Sequence, residues 1–198
     1  MARIPAPERR DALVEAALRV VSRRGIAQAT TRAIVAEAGM SLASFHYAFD
    51  SRDELIDELI TTVVAREQHA VIPEPVPGGD LREILEAGLL RYFEHLRGDP
   101  EHEQAMLELT HYALRSPERH PLAVAQYARY AELAAHSLEI AASHAGTTWD
   151  RPMEQVARVL VAFTDGLTIT WLVDRDDDAA RAVAHAAADA LSRMAEPR

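Results

Sequence analysis

The segment Thr30–Phe49, TTRAIVAEAGMSLASFHYAF, constrains this chain more than any other stretch. Ile34, Val35 and Ala38 recur at helical spacing before Gly39, and Phe45 and Phe49 do so after it. The spacing predicts two short helices hinged at a glycine, each with one apolar face to bury. That is the pattern of a helix-turn-helix, whose second helix enters the major groove of DNA. The polar residues left over, Thr31, Arg32, Ser44, His46, Tyr47 and Arg52, offer hydroxyls, guanidinium groups and ring edges suited to phosphates and base edges. Singly, each has a plainer reading: Phe45 and Phe49 as core, Tyr47 as a surface tyrosine, Thr30 or Thr31 as a helix cap. Their joint occurrence around Gly39 carries the argument.

The flanks agree. Leu13, Val14, Ala17, Leu18 and Val21 form an apolar stripe on a helix that ends near Arg24 and Gly25, where glycine supplies a left-handed cap. After the motif, Ser51–Glu54 has the sequence of a capping box. Leu55, Ile56, Leu59, Ile60, Val63 and Val64 then continue as a core-facing helix.

On these residues the chain from 9 to 60 resembles the N-terminal domain of the TetR family of bacterial transcriptional regulators: a threonine pair, an alanine-glycine turn, a short aromatic recognition helix and a capped following helix. The resemblance implies that Thr31 contacts phosphate, that Arg32 reaches a base, and that Leu42, Ser44 and Tyr47 face the bases. Arg52 stands where the family has a phosphate-binding lysine. Ala43 replaces a common glycine, Ala48 a frequent histidine, and His46 a tyrosine aimed at phosphate. Histidine still donates to a phosphate oxygen, more strongly when protonated. Leu42 suits either the core or a thymine methyl.

A net charge of -10 runs against a nucleic-acid partner until its distribution is read. Residues 1–52 carry eight arginines against five acids, and the rest thirteen against twenty-six. The basic head on an acidic body would orient the chain on DNA. There is no cysteine, so disulfides and thiolate metal sites are excluded. MARIPAPERR lacks the apolar stretch of a signal peptide, and no run is expected to reach membrane-spanning length, so the sequence predicts a cytoplasmic protein with no membrane partner.

The clearest boundary is Pro73–Gly79, three prolines and two glycines in seven residues. It divides the chain into a helix-turn-helix domain (1–52), a connecting helix (53–72), a linker (73–79) and a helical body (80–198). In the body, Leu81, Ile84, Leu85, Leu89, Tyr92, Phe93 and Leu96 form one stripe, followed by helices to about Arg115, from near Pro121 to His144, from Pro152 to Val173 and from Asp177 to Ala195. The fold class is all-α.

The resemblance implies a homodimer through the last two helices, with Leu160, Leu167, Trp171, Val183, Ala187 and Leu191 at the seam. Gly166 inside a helix costs about 1 kcal/mol relative to alanine and hints at close packing. It also implies a small-molecule effector site in the body, with Tyr92, Met106, Glu108, His111, Tyr112, Tyr127, Tyr130, Phe163 and Trp171 as candidates. Glu108 and Asp165 leave room for a cationic ligand. Burial alone would also give such stripes.

Glu108 and His111 form a Glu-x-x-His pair, half of a di-iron carboxylate site, and no second copy occurs. No glycine-rich phosphate loop or serine nucleophile motif is present either, so no catalytic residue, metal or cofactor is expected. The predicted function is a ligand-responsive regulator that binds double-stranded operator DNA as a homodimer, a repressor released by its effector. A transcriptional activator, a helical adaptor and, more remotely, a helical metalloenzyme are the alternatives.

Overall fold

The computed structural model describes residues 5–66 and 79–197. Among them the helices are α1 (Ala6–Arg24), α2 (Thr31–Glu37), α3 (Leu42–His46), α4 (Arg52–Arg66), α5 (Leu81–Gly98), α6 (Pro100–Leu114), α7 (His120–Ala145), α8 (Met153–Asp174) and α9 (Asp177–Ser192). A 3-10 turn, Ile26–Gln28, precedes α2. Most of the proline-glycine linker, and the expected end of the connecting helix near Val71, lie outside the described residues.

The chain packs as two units. One joins the residues up to Arg66 with Glu101–Gln126, and the other joins the residues from Gly79 to Pro100 with those from Tyr127 onward. The sequence placed residues 101–126 in the body, but they pack with the head. Met106 and Leu109 on α6, with Ala123 on α7, share one core with Leu13, Ile34, Phe45, Leu55 and Ile56.

Local chemistry sets the head. The Gly25 N–H closes α1 on the Val21 carbonyl at 2.8 Å, with φ at 79°. A side chain there would be strained, and its Cβ would lie 3.2 Å from a Glu108 carboxylate oxygen. Thr30 caps α2 by accepting from the Ala33 N–H, and Ser41 caps α3 by accepting from the Ser44 N–H. Between them Gly39, at φ 65°, makes the sharp turn, with the Met40 N–H reaching back to Val35. Ser51 accepts from the Glu54 N–H, but Glu54 reaches past it to the Asp50 N–H at 2.7 Å. The expected capping box is thus displaced by one residue.

The second unit is built on α5, α8, α9 and the later part of α7, around Phe93, Leu96, Leu138, Leu167, Trp171 and Leu191. Asp80 and Glu83 form a complete capping box at the start of α5. The prediction of helix as far as Ala195 fails at Ser192. Ala195–Pro197 instead pairs antiparallel with Thr147–Trp149, Trp149 opposite Ala195. Three-residue strands carry too little alternation to be read from sequence.

Helix α8 corrects a second expectation: by length and composition it could cross a membrane. Here one of its sides is folded into the unit, burying Val156, Ala157, Leu167, Thr168 and Trp171.

Candidate nucleic-acid interface and effector site

The register of α3 is fixed by two aromatics. Phe45 and Phe49 are 1% and 2% exposed, with ring centroids 5.8 Å apart. Burying that side turns Leu42, Ala43, His46 and Tyr47 to solvent, and on α2 it leaves Arg32 exposed and Thr31 half-exposed. Tyr47 is 81% exposed and Leu42 is 45% exposed. Leu42 is therefore not a core residue. Thr30 takes the capping role, so the Thr31 hydroxyl is not used as the cap. Ser44 is half-exposed, its Oγ 3.0 Å from that of Ser41.

Arg10, which the sequence did not single out, ties this surface down. Its guanidinium lies 4.1 Å over the Phe49 ring, donates to the Ala48 carbonyl, and pairs with Glu54 and Glu58 at 3.0 and 2.6 Å. Hydrogen bonding from Arg10 holds the Glu58 carboxyl below its ordinary range. Glu54 is lowered first by the Asp50 amide and then by Arg10. One of two adjacent arginines in a basic segment, Arg10 gives no sequence signal for such a role.

Arg52 was expected at the phosphates. Its Nε donates to the Ala29 carbonyl at 2.7 Å and a terminal nitrogen to the Ile26 carbonyl at 2.6 Å. Arginine is longer than the family's lysine and forked, so it spans both carbonyls of the turn before α2. Four of the effector candidates lie on α6, which packs on the same unit. Glu108 accepts from the Ile26 N–H at 2.6 Å. Tyr112 donates to Asp53 at 2.9 Å, and Arg119 pairs with Asp53 and Asp57, both at 2.8 Å. The Tyr112 hydrogen bond is the main cause holding Asp53 low, and burial chiefly raises the Tyr112 phenol. Met106 is core and His111 is exposed. These four thus belong to the head unit, and the other five to the second unit. The sequence could not foresee this, because it gave no sign that α6 folds back on the head.

In the second unit, Trp171 is 6% exposed. Its Nε1 donates to Asp177, its ring meets Phe93 edge-on, and Arg175 covers it. It is a core residue, with almost no surface left to offer a second copy. The Tyr92 hydroxyl sits 2.5 Å from that of Thr168, and Phe163 is half-buried against the core. Tyr127 and Tyr130 make an edge-to-face pair at 5.4 Å, and the Tyr127 hydroxyl donates to Asp165 at 2.9 Å. Burial raises the Asp165 carboxyl against the opposing effect of that hydrogen bond. Burial, then the neighbouring carboxylate, pushes the Tyr127 phenol up to about 12.

The dimer set needs the same correction. Leu167, Ala187 and Leu191 are 1%, 1% and 0% exposed within the single chain, so they have no surface to offer a partner. Leu160 and Val183 are half-buried. What α8 presents outward is Ala162, Gly166, Ile169 (46% exposed) and Val173 (82% exposed), with Val159 half-exposed, and α9 adds Ala179, Ala182 and Ala186. Because α8 is apolar on nearly every side, its sequence could not say which side faces inward.

Comparison with known proteins fits this architecture. Residues 13–59 match the model for bacterial regulatory proteins of the tetR family, and residues 81–195 match that for the C-terminal part of BetI-type transcriptional repressors. The chain is 30% identical over 176 residues to the HTH-type nicotine-responsive transcriptional repressor HdnoR of Paenarthrobacter nicotinovorans, covering 88% of this chain and 89% of that one. It is 33% identical over 118 residues to the HTH-type transcriptional regulator BetI of Agrobacterium fabrum, 60% of this chain and 57% of that one. Among solved structures, the multidrug binding protein EbrR complexed with ethidium superposes with a TM-score of 0.66 at 29% identity, over 92% of this chain and 99% of that chain. The chain belongs to the TetR family of bacterial transcriptional regulators.

Proposed function

We propose that the protein is a homodimeric repressor that binds a palindromic operator through α2 and α3 and is released by a small cationic effector. The observation that carries the DNA reading is the outward face of α3, with Leu42 and Tyr47 exposed beside Arg32 while Phe45 and Phe49 fix its register. Thr31, Ser44 and His46 complete the contact set. Arg52 acts as a buttress that shapes the turn before α2. Two heads are required by a palindrome, and the outward apolar residues of α8 and α9 supply a face for a second copy. A glycine on that face lets helix axes approach closely, since nothing lies within 4 Å of where its Cβ would stand.

The effector class is supported by Asp165. A half-buried carboxylate whose described partner is a tyrosine hydroxyl, beside a second tyrosine ring, suits an organic cation that takes the charge and stacks on the aromatics. HdnoR is named for its response to nicotine, an amine, and EbrR was solved with ethidium, an aromatic cation. The ligand favours a state with lower operator affinity, and its leverage equals its differential affinity for the two states. Phenyltrimethylammonium and its uncharged isostere tert-butylbenzene test this. The cation should raise the melting temperature and release a bound operator duplex, the isostere should do neither, and Asp165→Asn should abolish the difference. Release by neutral ligands with Asp165→Asn unaffected would replace the cation reading. Ligands that stabilise the protein yet never alter DNA binding would end the effector mechanism and leave DNA binding standing.

A further inference from the structure

The leading edge of α3 is apolar and open to solvent. In the core that the helix packs on, Leu13, Ile34, Leu55, Ile56, Leu59 and Ile60 are sealed at 1% exposure or less. Leu42, the first residue of α3, keeps 45% of its surface in water, and Ala43 beside it is exposed. The nearby hydroxyls do not offset this. Ser41 Oγ accepts from the Ser44 N–H and lies 3.0 Å from Ser44 Oγ, so one of the two hydroxyl protons is taken up between the serines. The edge that reaches a groove first therefore presents methyl groups.

Base edges in the major groove offer one apolar partner, the C5-methyl of thymine, while cytosine and both purines present donors and acceptors there. We propose that Leu42, with Ala43 next to it, is a specificity-determining residue that reads a thymine methyl in each operator half-site. This rests on the operator-binding reading above. Leucine has no hydrogen-bonding group, so it discriminates by contact with the methyl and by leaving a polar base edge unsatisfied where thymine is replaced.

The test begins with half-sites selected by the full-length protein from a pool of random duplexes, about four helical turns long. Each thymine is then replaced singly by deoxyuridine, which removes the methyl and keeps the pairing. Wild-type protein should lose roughly fourfold in affinity at one or two positions per half-site, the amount expected for one buried methyl. Leu42→Ala should bind the thymine and uracil duplexes equally. Because Leu42 is exposed, this variant keeps the fold, which circular dichroism verifies. Insensitivity of the wild type to every uracil would overturn the proposal, as would unchanged sensitivity in Leu42→Ala, which would turn Leu42 toward a protein partner. A selection that enriches no sequence at all would remove the operator-binding reading itself, and the inference with it.

Discussion

Replacing Arg52 with alanine separates two accounts of the same residue. If Arg52 neutralises a phosphate, its removal lowers the slope of log affinity against log salt by about one per head and leaves the free protein as stable as before. The structure argues for the opposite pattern. The guanidinium makes charge-assisted hydrogen bonds at 2.7 and 2.6 Å to the carbonyls of Ala29 and Ile26, and Ala29 is fully buried. Hydrogen bonds to charged groups contribute about 1.5–3 kcal/mol each, and solvent reaching the exposed part of Arg52 lowers the total, so the variant should lose roughly 2–3 kcal/mol. For a chain of this size that corresponds to a fall in melting temperature of roughly 5–10 °C. Operator affinity should fall as the turn before α2 loosens, with the salt slope unchanged. Arg52→Lys should recover only part of the stability, since an ammonium cannot fork to both carbonyls. Thermal denaturation by circular dichroism and fluorescence anisotropy across a salt series read both quantities. A melting temperature that holds while the slope drops would refute the buttress and restore the phosphate contact.

Ile169→Glu with Val173→Glu should give a folded, helical monomer by sedimentation, because both side chains are exposed in the single chain; a dimer of unchanged affinity would move the interface elsewhere. Leu167→Asp should instead unfold the second unit, since an unpaired charge in that core costs several kcal/mol; a wild-type melting curve would contradict its burial. Glu54 and Glu58 have carboxyls held low in the folded head, so their stabilisation is complete above the ordinary carboxylate range and is lost as pH falls through their lowered values. Acid should therefore lower the melting temperature of the wild type more than that of Arg10→Met, in scans from about pH 6 to about pH 3.

The head was legible because its signals are local. Gly39 adopts a positive φ, Thr30 caps the helix it precedes, and Phe45 and Phe49, four residues apart, are buried together. Long-range choices were not legible. Glu108 is 82 residues from the Ile26 amide that it accepts from, and no periodicity encodes that pairing. For α8 the composition hid the answer: a helix apolar on most sides offers several faces, and packing against α9 buried Leu167 and Trp171 while leaving Ile169 and Val173 outside. The carbonyl partners of Arg52 were not legible from its position, because an arginine and a lysine at one site can reach different partners.

The central claim is sequence-specific binding of duplex DNA by a pair of heads. Selection from random duplexes with the full-length protein, followed by stoichiometry on the enriched sequence, tests it most directly. The account predicts enrichment of an inverted repeat, two protomers per repeat with half-sites about one helical turn apart, and affinity that falls steeply with salt. Enrichment of no sequence, with binding to random DNA as tight as to any selected duplex, would contradict it.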